Sequence, residues 1–385
     1  MSERAGLDFI VDKSAWHETR FVESPVPSRL APGQVLFRVD RFAFTANNIT
    51  YAMAGDMLRY WSFFPVDAGA QNVDTGAQSS EEGWGRLPTM GFGDVVDSAH
   101  EGVPVGTRCF GFFPMSRYLV IEPSSASPSS IHDGVAHRVG LAPAYNQYSP
   151  VAEDPLYSAD HEDALILMRG LFMTSFLAED FLAESDLYGA ESVVISSASS
   201  KTGIALAFVV KQKGRAKAIG LTSARNRDFV EGLGVYDQVA TYDEIGSLRG
   251  DSPAVFVDMA GNIKVSRAVH EHFGPELKFS QRIGVTHWDA GGDDEELPGP
   301  AREFFFAPAQ IQKRIAEWGP EGFQERLGSA WRAFRDSSGA WLRVRRGYGP
   351  EAVQRVYRAT LEGNTRPEEG NVLSLWESEA VAAGH

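Results

Sequence analysis

The stretch Glu191–Lys211, ESVVISSASSKTGIALAFVVK, constrains the fold more than any other part of the chain. Val193, Val194 and Ile195 form a short β-branched run, the pattern of a strand buried on both faces. The small polar run Ser196-Ser197-Ala198-Ser199-Ser200-Lys201-Thr202-Gly203 follows without a break. Ile204–Val210 is then apolar throughout, as in a helix packed on a sheet. Strand, small-residue turn and buried helix together make the opening unit of a dinucleotide-binding domain. Most of the glycines usual in such a turn are absent.

Downstream, strand and helix patterns alternate, which predicts βαβ units and a parallel sheet. Lys217–Thr222 reads as a second strand, Gln238–Ala240 as a third, Ala254–Asp258 as a fourth and Phe279–Val285 as a fifth. Helices are expected at Ala224–Leu233 and Val265–Phe273, and amphipathic helix over Ala309–Phe334. A strand near Trp341–Arg345, a helix at Pro350–Leu361 and a strand at Asn371–Leu375 close the chain. Upstream, short glycine-punctuated strands at Gln34–Asp40, Gly91–Val96, Gly106–Gly111 and Tyr118–Ile121 suggest a barrel-like β domain. Asp67–Gly85 and Pro123–Pro128 read as loops, Tyr145–Tyr148 as an aromatic polar stretch, and Asp163–Ser185 as a helix. The fold class is α/β.

A net charge of −15 argues against nucleic acid as a partner, because phosphates attract basic surfaces. Cys109 is the only cysteine, so neither an intramolecular disulfide nor a cysteine-rich zinc site can form. The start, MSERAGLDFIVDKSAW, lacks the features of a signal peptide, and no apolar run reaches the roughly 18–20 residues of a membrane span. A cytoplasmic protein without membrane partners is the expectation.

The order of elements resembles the medium-chain dehydrogenase/reductase superfamily, on its zinc-free quinone and enoyl reductase side. PGQVLFRVDRFAFTANNITYAMAGD at Pro32–Asp56 and VPVGTRCFGFFPMSRYLVI at Val103–Ile121 are similar to that family's β domain. Val193–Gly203 lies without gaps on its VLVxGAAGGVG pattern, and Gly349–Leu375 is similar to its closing segment. The YNQY and RGLFMTSFLAEDFL stretches resemble an uncharacterised branch. The resemblance implies a GroES-like β-barrel domain at 1–155 and a Rossmann-type, doubly wound parallel-sheet domain at 156–305. Residues 306–385 would return to the first. It also implies a small-molecule substrate and a homodimer.

Candidate site residues follow from the motifs. A pyrophosphate is stabilised at a helix N-terminus by backbone N–H groups and the helix dipole. Ser199, Ser200, Lys201, Thr202 and Gly203 are the candidates there, Ser and Lys standing where the family has glycines. The alternative is a turn that only caps a structural helix. An acidic residue roughly 20 positions on would bind the ribose of NAD. Here the chain reads Leu221-Thr222-Ser223-Ala224-Arg225-Asn226-Arg227, without an acid. Ser223, Arg225 and Asn226 suit a 2′-phosphate and so NADP(H), although Ser223 could equally cap the next helix.

Asp258-Met259-Ala260-Gly261 is similar to the family's Asp-x-x-Gly, and Thr286 and His287 lie where the nicotinamide would border the fifth strand's end. The zinc-dependent relatives' ligands have no counterpart, so no metal is expected and a hydroxyl or amide must polarise the substrate. Tyr51 and Asn48 are the catalytic candidates. Tyr60, Trp61 and Trp288 are candidates for the substrate wall, against the simpler reading of an aromatic core. The expected activity is hydride transfer to an enone, enoyl or quinone-type carbonyl. The rival is a non-redox protein on the same scaffold, either a cofactor sensor or a lyase.

Overall fold

A computed structural model describes residues 5–378 apart from 54, 58, 68–69, 75–82, 260 and 284–295. The chain divides into two compact units, one made of residues 1–167 and 343–385, the other of 168–342.

The second unit is built on a parallel sheet of six strands. They are β1 (Ser192–Ile195), β2 (Lys217–Thr222), β3 (Gln238–Thr241), β4 (Ala254–Asp258), β5 (Leu277–Arg282) and β6 (Arg302–Phe304). Their order across the sheet is β3-β2-β1-β4-β5-β6, with every pairing parallel. This is the doubly wound order of dinucleotide-binding domains, in which the chain reverses direction across the sheet at β1. β1 is buried along its whole length, as its β-branched run requires.

Register fixes the two faces, because cross-strand partners point the same way. Val194, Ile219 and Phe256 share one face and pack with Val265, Val269 and Phe273 of helix Ile263–Phe273. Ile195, Gly220, Val257 and Gln281 share the other. Strands β2 and β4 run as the sequence predicts. The expected helix at Ala224–Leu233 is a 3₁₀ turn, Ala224–Asn226, followed by a short helix, Arg227–Gly232. The long amphipathic helix spans Ala307–Ser338 and bends at Gly319, whose φ of 72° and following Pro320 interrupt the hydrogen-bond ladder.

Among the described residues the first unit holds one sheet of four strands and one of nine. Strand Val35–Phe44 is central, pairing with Pro88–Ser98, Tyr118–Ile121 and the C-terminal strand Glu369–Ser374. The expected loop at Pro123–Pro128 is instead the edge strand Pro123–Ser127, which pairs with Ser130–Asp133. An edge strand facing solvent needs no apolar alternation and tolerates proline at its start, so its sequence looked like a loop. The predicted loop Asp67–Gly85 also contributes two short strands, Gln71–Asn72 and Trp84–Gly85, to the smaller sheet.

Candidate functional site

The chain leaves β1 and turns sharply over Ser196–Ser200 into helix Lys201–Lys213. Ser197 holds a φ of 48°, a left-handed conformation that glycine adopts with less strain. Ser200 is the N-cap, its Oγ accepting from the Gly203 N–H at 3.0 Å. Gly203 sits so close beneath the turn that a Cβ there would meet Ser197 O at 2.9 Å. The one retained glycine is therefore needed for close approach of helix and turn.

Two further contacts pin the turn. The buried Tyr236 donates its hydroxyl to Ala198 O at 2.8 Å. Asn226 Nδ2 donates to Ser199 Oγ at 3.0 Å. Asn226 belongs to the segment beyond β2, so this bond brings together the turn and the expected 2′-phosphate region. Ser199 and Ser200 both serve as acceptors in these bonds, which leaves their own protons to be donated to an anion. Lys201 begins the helix and adds a positive charge beside N–H groups that have no intrahelical acceptor. Ser223 precedes the 3₁₀ turn, but its side chain makes no cap hydrogen bond.

On the first face of the sheet, Asp258 at the end of β4 is an acceptor hub. Ser196 Oγ and the Gly261 N–H donate to Oδ1 at 2.9 and 3.0 Å, and Ser266 Oγ donates to Oδ2 at 2.9 Å. The Met259 N–H in turn donates to Ser196 Oγ at 2.8 Å. The carboxylate thus ties the first residue after β1 to the turn after β4. Its Asp-x-x-Gly spacing was legible; its bond to Ser196 was not.

In the first unit, Asn48 and Tyr51 lie on helix Ala46–Met53. Asn48 is buried and occupied: Oδ1 accepts the Thr45 N–H at 2.7 Å, capping the helix, and Nδ2 donates to Pro88 O at 2.9 Å. Tyr51 is half-buried, its ring centroid 4.8 Å from Tyr60 and 6.4 Å from Phe112. Tyr60 hydrogen-bonds Tyr145, whose ring contacts Phe63 and Phe112 at 5.1 and 5.5 Å. Burial, reinforced by the neighbouring phenols, pushes the Tyr51 and Tyr60 hydroxyls far above their ordinary values. Burial raises Tyr145 as well, against a lowering from the Tyr60 bond. All three remain protonated donors at neutral pH. Tyr145 was visible only as part of the YNQY stretch, with nothing in the sequence linking it to Tyr60.

Trp61 is buried against Gly55 and Gly85, where its ring fills the space a side chain would take. It also lines a cleft of about 290 Å³ with Arg59, Trp84 and His137. Thr286, His287 and Trp288 lie outside the described residues. Among the described residues no group of three or more His, Cys, Asp or Glu side chains is placed to hold a metal ion. Cys109 is buried, and burial raises its thiol well above its ordinary value, so it is no nucleophile. No helix among the described residues is long and apolar enough to cross a membrane.

Solved structures that share this fold match along almost the whole chain. CurA from Vibrio vulnificus, in complex with NADPH, is 14% identical with a TM-score of 0.58, covering 96% of this chain and 98% of its own. A mutant enoyl thioester reductase from Candida tropicalis is 10% identical with a TM-score of 0.55, over 96% and 100%. A putative NADPH:quinone reductase from Bacillus thuringiensis is 11% identical with a TM-score of 0.56, over 96% and 99%. No curated protein matches the sequence. Residues 42–366 match the family described as "Protein of unknown function (DUF2855)", and the chain belongs to that family.

Proposed function

We propose that the protein is an NADP(H)-dependent oxidoreductase that reduces a conjugated carbonyl, such as an enone, an enoyl thioester or a quinone, without a metal. The observation that carries this reading is the serine-lined turn at the head of helix Lys201–Lys213, tied by Asn226 to the segment after β2. Its chemistry fits a dinucleotide phosphate group: two hydroxyl donors meet at a helix N-terminus that Lys201 opens, and the buried Gly203 lets helix and turn pack closely. Ser199, Ser200, Lys201, Thr202 and Gly203 would hold the pyrophosphate. Ser223, Arg225 and Asn226 would hold the 2′-phosphate, since no acidic residue stands among them to repel it. The likeness in fold to a structure solved with NADPH supports the same choice.

The cofactor supplies the hydride when bound, and the protein's part is to bind, orient and protonate. For an enone or enoyl substrate the hydride adds to the β-carbon, and the resulting enolate takes a proton at the α-carbon. Tyr51 is our candidate for that donor or for the hydroxyl that polarises the carbonyl. The Tyr60–Tyr145 pair sets the apolar, phenol-rich surroundings that keep it protonated. Asn48 contributes by fixing the helix that carries Tyr51.

Calorimetry with NADPH and NADH tests the first step, with preferential binding of NADPH expected. Binding of neither would sink the reading. Oxidation of NADPH in the presence of a panel of enones, enoyl thioesters and quinones tests the second. Cofactor binding without turnover of any would favour the non-redox alternative on the same scaffold.

A further inference from the structure

Two side chains on the second face of the parallel sheet are buried and yet have no hydrogen-bond partner among the described residues. They are the hydroxyl of Thr222, 0% exposed, and the carboxamide of Gln281, 1% exposed, with both its oxygen and its nitrogen unbonded. Burying an amide without partners is costly, and native structures rarely leave one so. The first face shows the ordinary solution: Ser280, next to Gln281, is bonded to the His270 ring at 2.9 Å.

Register places both groups relative to the phosphate turn. Ile195, the last residue of β1, pairs with Gly220 on one side and Val257 on the other, and Val257 pairs with Gln281. Thr222 lies two residues beyond Gly220 and so shares its face. A methyl on Gly220 would meet Ala198 Cβ at 2.9 Å, which puts the turn on that same face. Across the sheet the order is therefore the Thr222 hydroxyl on β2, the turn issuing from β1, then β4, then the Gln281 carboxamide on β5. Three strand spacings of about 4.8 Å separate the outer two, roughly 14 Å. A dinucleotide laid over the turn presents groups in the same order: adenosine ribose, pyrophosphate, nicotinamide. A carboxamide is the side chain that can both donate to and accept from another carboxamide.

We propose that Gln281 binds the carboxamide of the nicotinamide and that Thr222 binds the adenosine ribose, so that the two unbonded groups are completed by one ligand. The inference rests on the dinucleotide reading above and adds the residues that recognise its two ends. Gln281→Met keeps the side chain's length and removes its polar atoms, while Thr222→Val removes only the hydroxyl. Calorimetry with NADPH and with 2′-phospho-ADP-ribose, which lacks the nicotinamide, separates the two ends.

Gln281→Met is expected to weaken NADPH about tenfold or more and to leave 2′-phospho-ADP-ribose unchanged. Thr222→Val is expected to weaken both. Without ligand, the Tm of Gln281→Met should equal or exceed that of the wild type, because a buried unbonded amide has been removed. Unchanged NADPH affinity in Gln281→Met overturns the proposal while leaving the dinucleotide reading intact. So does a fall in the ligand-free Tm, which would mark an internal structural partner. If the wild type binds neither ligand, both readings fall together.

Discussion

Arg108 in the first unit, half-buried, and Gln281 in the second, buried, are both polar groups packed inside the protein, and they are treated in opposite ways. Arg108 spends every nitrogen: Nε donates to Glu162 at 2.7 Å, Nη1 to Asp94 at 2.9 Å, and Nη2 to Asp40 and Glu162 at 2.6 and 2.8 Å. Arg41 joins the same carboxylates, reaching Asp40 at 2.9 Å. Gln281 has no bond on either amide atom among the described residues. Every nitrogen of the Arg108 guanidinium is satisfied, although Asp40 Oδ1 beside it is buried without a partner among the described residues, whereas neither amide atom of Gln281 is satisfied.

The comparison breaks first at Arg108. Arg108→Met would leave Asp40, Asp94 and Glu162 close together without their shared cation. A loss of about 2–3 kcal/mol is expected, measured by urea unfolding, because Asp94 and Glu162 lose their guanidinium hydrogen bonds while Asp40 keeps Arg41 at 2.9 Å. A change within about 1 kcal/mol would show that the cluster is solvated enough to dispense with it. The contrast with Gln281→Met, expected not to destabilise the ligand-free protein, is then one of sign.

Tyr236→Phe sharpens the comparison within the second unit. It removes the hydroxyl under Ala198 O and leaves that carbonyl without its side-chain donor. A loss of about 1–2 kcal/mol is expected, with weaker NADPH binding, because the turn loses its support. Loss of stability with unchanged affinity would separate the prop from the site.

The paired histidine gives a smaller, pH-dependent effect. His270 is bonded to Pro298 O and Ser280, each at 2.9 Å, and burial lowers its affinity for a proton below that of an exposed imidazole. Above the unfolded value of about 6.5 both states are neutral and stability is level. As pH falls below it the unfolded chain takes up the proton first, so stability declines, by at most about 1.4 kcal/mol per pH unit. His270→Gln should flatten that part of the Tm–pH curve; an unchanged slope would assign it to other groups.

How far the sequence could be read depends on whether a feature is periodic. Buried strands such as Ala254–Asp258 announce themselves by apolar runs, and the strand–turn–helix grammar of Glu191–Lys211 leads to the doubly wound sheet. Edge strands such as Pro123–Ser127 carry no such signal, since solvent imposes no alternation. The residues that went unseen are those defined by register or by distant contact. Gln281 looks like one polar residue in LKFSQR, and only the pairing Val257↔Gln281 shows which face it occupies. Tyr236 lies 38 residues from the carbonyl it supports.

Ser197 joins both lessons, and its substitution has the smallest expected effect. It stands at the first glycine of the dinucleotide-turn pattern that the stretch resembles, and its φ of 48° is one that glycine adopts more easily: a Cβ crowds the backbone in that conformation. Ser197→Gly should relieve the crowding, offset in part by the greater freedom glycine gives the unfolded chain, for a net gain of about 0.5 kcal/mol. If the turn binds phosphate through its N–H groups and the hydroxyls of Ser199 and Ser200, NADPH affinity in this variant should match the wild type. Weaker binding would mean that the Ser197 hydroxyl itself meets the ligand, and that serine at this position contributes a donor as well as strain.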